Sequence, residues 1–128
     1  MESGEYDPLY TFADWVTHAN AIALNPADNI AYGKFTGDVN GDVNDFFCRF
    51  SADDSVAQPR ECLCVLSTAG RGGTTGGELN SGTIVNDVYY TGAGTMKLRA
   101  IEGVSSLSGG TPYPTNSSSL GECPRSGC

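Results

Sequence analysis

Glu61-Cys-Leu-Cys-Val-Leu-Ser67 is the longest run in the chain that lacks glycine, proline and turn residues while staying apolar in both alternating sets. Alternation sets Cys62, Cys64 and Leu66 on one face and Leu63 and Val65 on the other, so both faces want cover. The run therefore predicts a central buried strand, inside a sandwich or beneath a helix.

Working outward, Phe46-Phe-Cys-Arg-Phe50 alternates as a neighbouring strand with Phe46, Cys48 and Phe50 on one face. Cys48 then stands beside the central strand, and a bridge to Cys62 or to Cys64 would close a loop of about fifteen residues. Cys123 and Cys128 flank Pro-Arg-Ser-Gly and either close a ring with each other or reach the body. Five cysteines is an odd number. Two bridges leave one thiol, either buried as a small hydrophobe or bonded to another chain.

On the far side, residues 83–90 and 95–102, joined by Thr91-Gly-Ala-Gly94, predict a hairpin. Ile84, Val88 and Tyr90 would face Met96, Leu98 and Ala100, with Lys97 and Arg99 turned to solvent. Toward the N-terminus, Asp7-Pro8 is a helix start and Asn25-Pro26 a stop. Between them Leu9, Phe12, Val16, Ala19 and Ala23 recur at steps of three and four, with Ala13 and Ile22 beside them. This predicts an amphipathic helix over residues 8–24. Asp14 and His18 would pair on its flank and Trp15 would sit just off the apolar stripe. The expected fold class is α+β: an N-terminal helix packed on an antiparallel sheet or small sandwich of about five strands. Residues 1–104 would form this domain, and residues 105–128 a Ser/Gly/Pro-rich tail tied by cysteines.

Gly37-Asp-Val-Asn-Gly-Asp-Val-Asn-Asp45 is a tandem repeat with five side-chain oxygen donors. Its Asp-x-Asn-x-Asp opening resembles the calcium loop of EF-hand and dockerin modules, and the resemblance implies Asp38, Asn40 and Asp42 as calcium ligands. The loop departs from that pattern at Val43, where the turn glycine belongs, and at Arg49, where the bidentate acid belongs. No other cofactor is expected. Gly70-Arg-Gly-Gly-Thr-Thr-Gly-Gly77 lacks the Lys-Ser or Lys-Thr ending of a phosphate loop and reads as an exposed loop. Asn116-Ser-Ser118 is the one N-glycosylation sequon.

The 128 residues carry a formal charge of −8. Residues 1–54 hold ten acids against Lys34 and Arg49, whereas residues 55–128 are balanced. Such a face repels phosphate backbones, so nucleic acid is not an expected partner. No apolar run reaches the roughly 20 residues of a membrane helix. Residues 1–10 have neither the basic start nor the apolar centre of an export signal. The cysteines and the lysine-poor, hydroxyl-rich composition nevertheless favour an extracellular or cell-surface protein.

A lone His18 and no nucleophile elbow leave a small secreted enzyme without its parts. The favoured reading is a structural subunit of an extracellular filament, appendage, surface layer or virion, acting by self-association or in a heteromeric assembly. Trp15, Arg71, Lys97 and Arg99 are its interface candidates. The alternative is a secreted, calcium-assisted module that binds carbohydrate or protein.

Overall fold

The computed structural model describes residues 11–39, 42–51, 59–67, 81–92, 98–114 and 120–124. It is almost entirely β. Among the described residues, seven strands run β1 (Val16–Asn25), β2 (Ile30–Val39), β3 (Asp42–Phe50), β4 (Glu61–Ser67), β5 (Gly82–Val85), β6 (Val88–Gly92) and β7 (Leu98–Glu102), followed by a 3-10 turn at Val104–Ser106. They form two antiparallel sheets, ordered β1-β2-β3-β4 and β5-β6-β7.

The expected N-terminal helix is overturned: Val16–Asn25 is a strand, and no helix of seven or more residues occurs among the described residues. The misleading periodicity has a physical source. Register shifts between Val16 and His18 and between Asn20 and Ala23 each place an extra residue in β1 opposite β2. Val16 and Ala19 pair with Gly37 and Phe35, and Leu24 with Ala31. Ile22 lies over Gly33, where a Cβ would fall 2.8 Å from its Cγ1. These four residues therefore share one face at steps of three, three and two, an imitation of helical spacing made by bulges. Asn25-Pro26, read as a helix stop, opens the β1–β2 turn instead. Asn29 N donates to Asn25 O at 2.7 Å, Ala27 N donates to Asn25 Oδ1 at 3.1 Å, and Asn29 takes φ 61°.

Two further turns divide segments read as continuous. β2 and β3 pair as far as Val39 with Asp42, so the tandem repeat straddles a two-residue connection, Asn40-Gly41, instead of forming a long loop. Asn86 and Asp87, at φ 51° and 63°, make the β5–β6 turn, so residues 83–90 are two strands and β6 is the middle strand of its sheet.

β4 is buried as expected but is not central, because it ends the four-stranded sheet. Its alternation is also broken. Leu63 and Leu66 are extra residues opposite β3, which turns Cys62 and Val65 to one face and Cys64 to the other. Cys48 bridges its cross-strand neighbour Cys62, and Cys64 bridges Cys123.

Two described pieces of the tail, at Thr111 and at residues 121–123, pair with β4's outer edge. Cys62 and Thr111 exchange two backbone hydrogen bonds at 2.7 and 2.9 Å. Val65 N donates to Gly121 O, and Cys123 N donates to Val65 O, both at 2.9 Å. The first bridge is antiparallel and the second parallel, so the chain reverses between them.

The main core lies between the sheets. Phe47 stands between Tyr32 and Tyr89, with ring centroids 5.6 and 4.7 Å away. Leu63, Leu66, Ile84, Ile101 and Val104 fill the space around them. At the other side of the sandwich β5 approaches β1 closely. A Cβ on Gly82 would fall 2.4 Å from Ala21 O, the same carbonyl that accepts the buried Tyr89 hydroxyl at 2.6 Å.

Candidate interaction surface

The four-stranded sheet has a second apolar face turned away from the core. Phe35, Phe46, Cys48, Cys62, Val65 and Leu120 are buried there. By register, the charged positions on this face are Asp42, paired with Val39 at the end far from the β1–β2 turn, and exposed Glu122, paired with Val65 beyond the edge of β4. The charged residues Lys34, Asp45, Arg49 and Glu61 fall on the inner face, with Tyr32 and Phe47. This reverses the usual arrangement of a two-layer sandwich, whose outer face is polar.

Cover on the outer face is thin. Phe12 packs edge-on against Phe35 and Phe50, with centroids 4.9 and 5.1 Å away, and Trp15 packs edge-on against Phe46 at 5.7 Å. Trp15 Nε1 is buried and finds no acceptor among the described residues. Toward the β1–β2 turn the cover stops, leaving Ile22 43% and Leu24 62% exposed beside half-buried Ala31 and Phe50.

Of the interface candidates, Trp15 lies on this face, half-buried. Arg99 does not point to solvent as expected. Its guanidinium donates to Leu66 O at 2.5 Å and to Cys123 O at 3.4 Å, which ties β7 to β4 and the tail. Arg71, Lys97, Asn116 and Cys128 lie outside the described residues. With four of the five cysteines bridged, Cys128 has no cysteine left in the chain to pair with. Ile22 and Leu24 escaped the sequence reading because a helix would have placed them differently; a bulged strand was the missing premise.

Of the calcium candidates, Asp38 is next to last in β2, Asp42 opens β3, and Asn40 lies outside the described residues. Among the described residues no three or more His, Cys, Asp or Glu gather as a metal site. Asp14 precedes β1 and His18 is exposed within it, so the four-residue helical spacing that was to pair them does not exist.

Two polar clusters sit at the turn end of the sandwich. In the first, Tyr32 Oη donates to Asp28 Oδ2 at 2.6 Å, Arg49 pairs with Glu61 through Nε (3.1 Å) and Nη2, and Glu61 Oε2 accepts Gly110 N at 3.0 Å. Burial, reinforced by the bond to Asp28, pushes the Tyr32 hydroxyl up to about 12. Arg49 loses hydration, but its bonds to Glu61 and Tyr32 outweigh that and hold its proton more tightly than usual. The cluster links the β1–β2 turn to the tail.

In the second, Asp87 accepts from Asn25 Nδ2 (2.8 Å), Ser105 N (3.0 Å) and Ser105 Oγ (2.7 Å), joining the two sheets and the 3-10 turn. Desolvation would raise its pKa, but the Ser105 and Asn25 hydrogen bonds outweigh it and hold the carboxyl below its ordinary value. Because the folded pKa is depressed, Asp87 contributes stability above pH of about 4, and that contribution is lost as pH falls through the folded value. Thermal melts across this acid range should show Asp87→Asn starting lower than the parent but falling less steeply. Parallel curves would remove Asp87 from the acid response.

No helix among the described residues is long and apolar enough to cross a membrane. No family model, curated protein or solved structure matches the chain.

Proposed function

We propose that this chain is a disulfide-braced structural module of an extracellular assembly, acting by self-association through the outer face of the four-stranded sheet. The observation that carries the reading is that face's chemistry: apolar at its centre and left open at Ile22 and Leu24. A sheet face of this composition is stable in water only when covered, and exposed apolar surface rimmed by polar residues marks association sites. Two disulfides suit an oxidising compartment, which supports an extracellular location.

A second copy fits because the face is its own complement. Two such faces can meet about a two-fold axis near Ile22 and Leu24, away from Asp42 at the other end of the sheet and Glu122 beyond β4, despite a net charge of −8 per chain. The contact is apolar, so raising salt should leave it intact, in contrast to a contact between the acidic N-terminal half and the balanced C-terminal half.

Sedimentation equilibrium tests the reading. The protein should show concentration-dependent association, and Leu24→Glu should weaken it at least about tenfold, or 1.4 kcal/mol. Leu24 is exposed, so the variant should keep the parent's melting temperature. A monomer at every concentration, or an assembly indifferent to Leu24→Glu, would discard the outer face as the contact.

A further inference from the structure

We propose that residues 120–124 are a releasable guard over the outer edge of β4, locked by Cys64–Cys123, and that reduction of this bond by a dithiol uncovers β4 for edge-to-edge pairing with β4 of a second copy. The inference concerns a sheet edge and not the outer face, and it stands or falls separately from the association described above.

β4 needs a guard. It is the outermost strand of its sheet, and between Glu61 and Ser67 it holds only Cys, Leu and Val, with no charge and no proline. Unpaired backbone flanked by such residues is a template for another strand. Charged residues, prolines and bulges commonly protect such edges. Here β4 has the bulges, and the tail supplies the rest of the protection.

The two parts of the tail are held differently. At the first bridge Gly110 and Thr111 are fixed by two backbone bonds to Cys62 and by Glu61, itself anchored on Arg49. At the second, residues 120–124 have two backbone bonds to Val65, the Arg99 contact with Cys123 O, the apolar contact of Leu120, and the disulfide. Gly121, Glu122 and Pro124 are exposed. Without the covalent tether, the contacts among the described residues that hold this segment are the two backbone bonds to Val65, the Arg99 bond and Leu120.

The two disulfides therefore differ in access. All four cysteines are buried, so attack on either bond needs local opening. Opening Cys48–Cys62 means displacing the packed outer-face cluster of Phe35, Phe46, Val65 and Leu120 around two paired strands. Opening Cys64–Cys123 means lifting residues 120–124 off a single pairing position, Val65. A thiolate of the dithiol then attacks one sulfur, releases the other as a thiol, and forms a mixed disulfide. The reductant's second thiol resolves it. Cys64 and Cys123 gain two electrons and two protons, and the dithiol leaves as its cyclic disulfide.

The exposed edge fits a second copy of itself. Gly110 and Thr111 still cover Cys62, so the freed stretch is residues 64–67; antiparallel pairing of two such stretches leaves each Glu61 outside the contact and lets uncharged residues meet.

The test uses the native protein. Cys128 is first blocked with a maleimide; the protein is then titrated with dithiothreitol without denaturant and quenched with iodoacetamide. The labelled sites are mapped by mass spectrometry, mass is read by light scattering, and amide exchange is followed across β2 to β4. The expected result is labelling of Cys64 and Cys123 ahead of Cys48 and Cys62. Mass should at least double, and β2 and β3 should keep their protection. Leu24→Glu should leave this association unchanged. The proposal is overturned if Cys48 and Cys62 are labelled first or together with the other pair. It is equally overturned if the trapped form stays monomeric, or if β2 and β3 lose protection along with the tail.

Discussion

Replacing Phe47 by alanine is expected to cost about 3–5 kcal/mol, the usual range for a fully buried aromatic ring. Phe47 has no solvent exposure and lies between Tyr32 on its own sheet and Tyr89 on the other. Its removal takes away both ring contacts, and the flanking tyrosines cannot collapse into the gap freely, because Tyr89 is pinned to Ala21 O and Tyr32 to Asp28. Urea denaturation should show the loss as a lower midpoint with an unchanged slope. Phe50→Ala is the matched control: its ring is half-buried on the outer face, so it should cost clearly less. Equal costs at the two positions would mean that the space between the sheets is not the dominant core.

The second large effect comes from the cross-links. Cys64–Cys123 closes 59 residues of chain and Cys48–Cys62 only 14. Loop-closure entropy then gives about 4 kcal/mol for the first and about 3 kcal/mol for the second. Alanine substitution of Cys64 together with Cys123 should lower unfolding stability more than the same change at Cys48 and Cys62. The reverse order would show that strain or residual structure in the unfolded chain outweighs loop length. The bond that contributes more to global stability is thus the one a reductant reaches first, because global unfolding and local lifting of the tail are separate events.

What the sequence made legible follows from which interactions are local. β3 announced itself through its alternating aromatic residues and β4 through its uninterrupted apolar run, and Cys48 was correctly placed beside β4. β1 was misread because its bulges, set by pairing with β2 and by the approach of β5 at Gly82, spread the outer-face residues to near-helical spacing. Asn40-Gly41 and Asn86-Asp87 carried hairpin chemistry, which the tandem repeat and the continuous apolar run concealed. The tail could not be read as ordered from composition alone. Its place is fixed by β4's free edge and by a cysteine 59 residues away, both non-local. Of the proposed interaction surface, Trp15 was visible early. Ile22 and Leu24 became visible only once β1 was a strand.

Trp15 is the chain's sole tryptophan, and it lies against Phe46 on the outward-facing side of the larger sheet. The protein therefore contains a built-in optical reporter of that side. Its emission colour and its accessibility to a dissolved quencher register whatever settles over the indole.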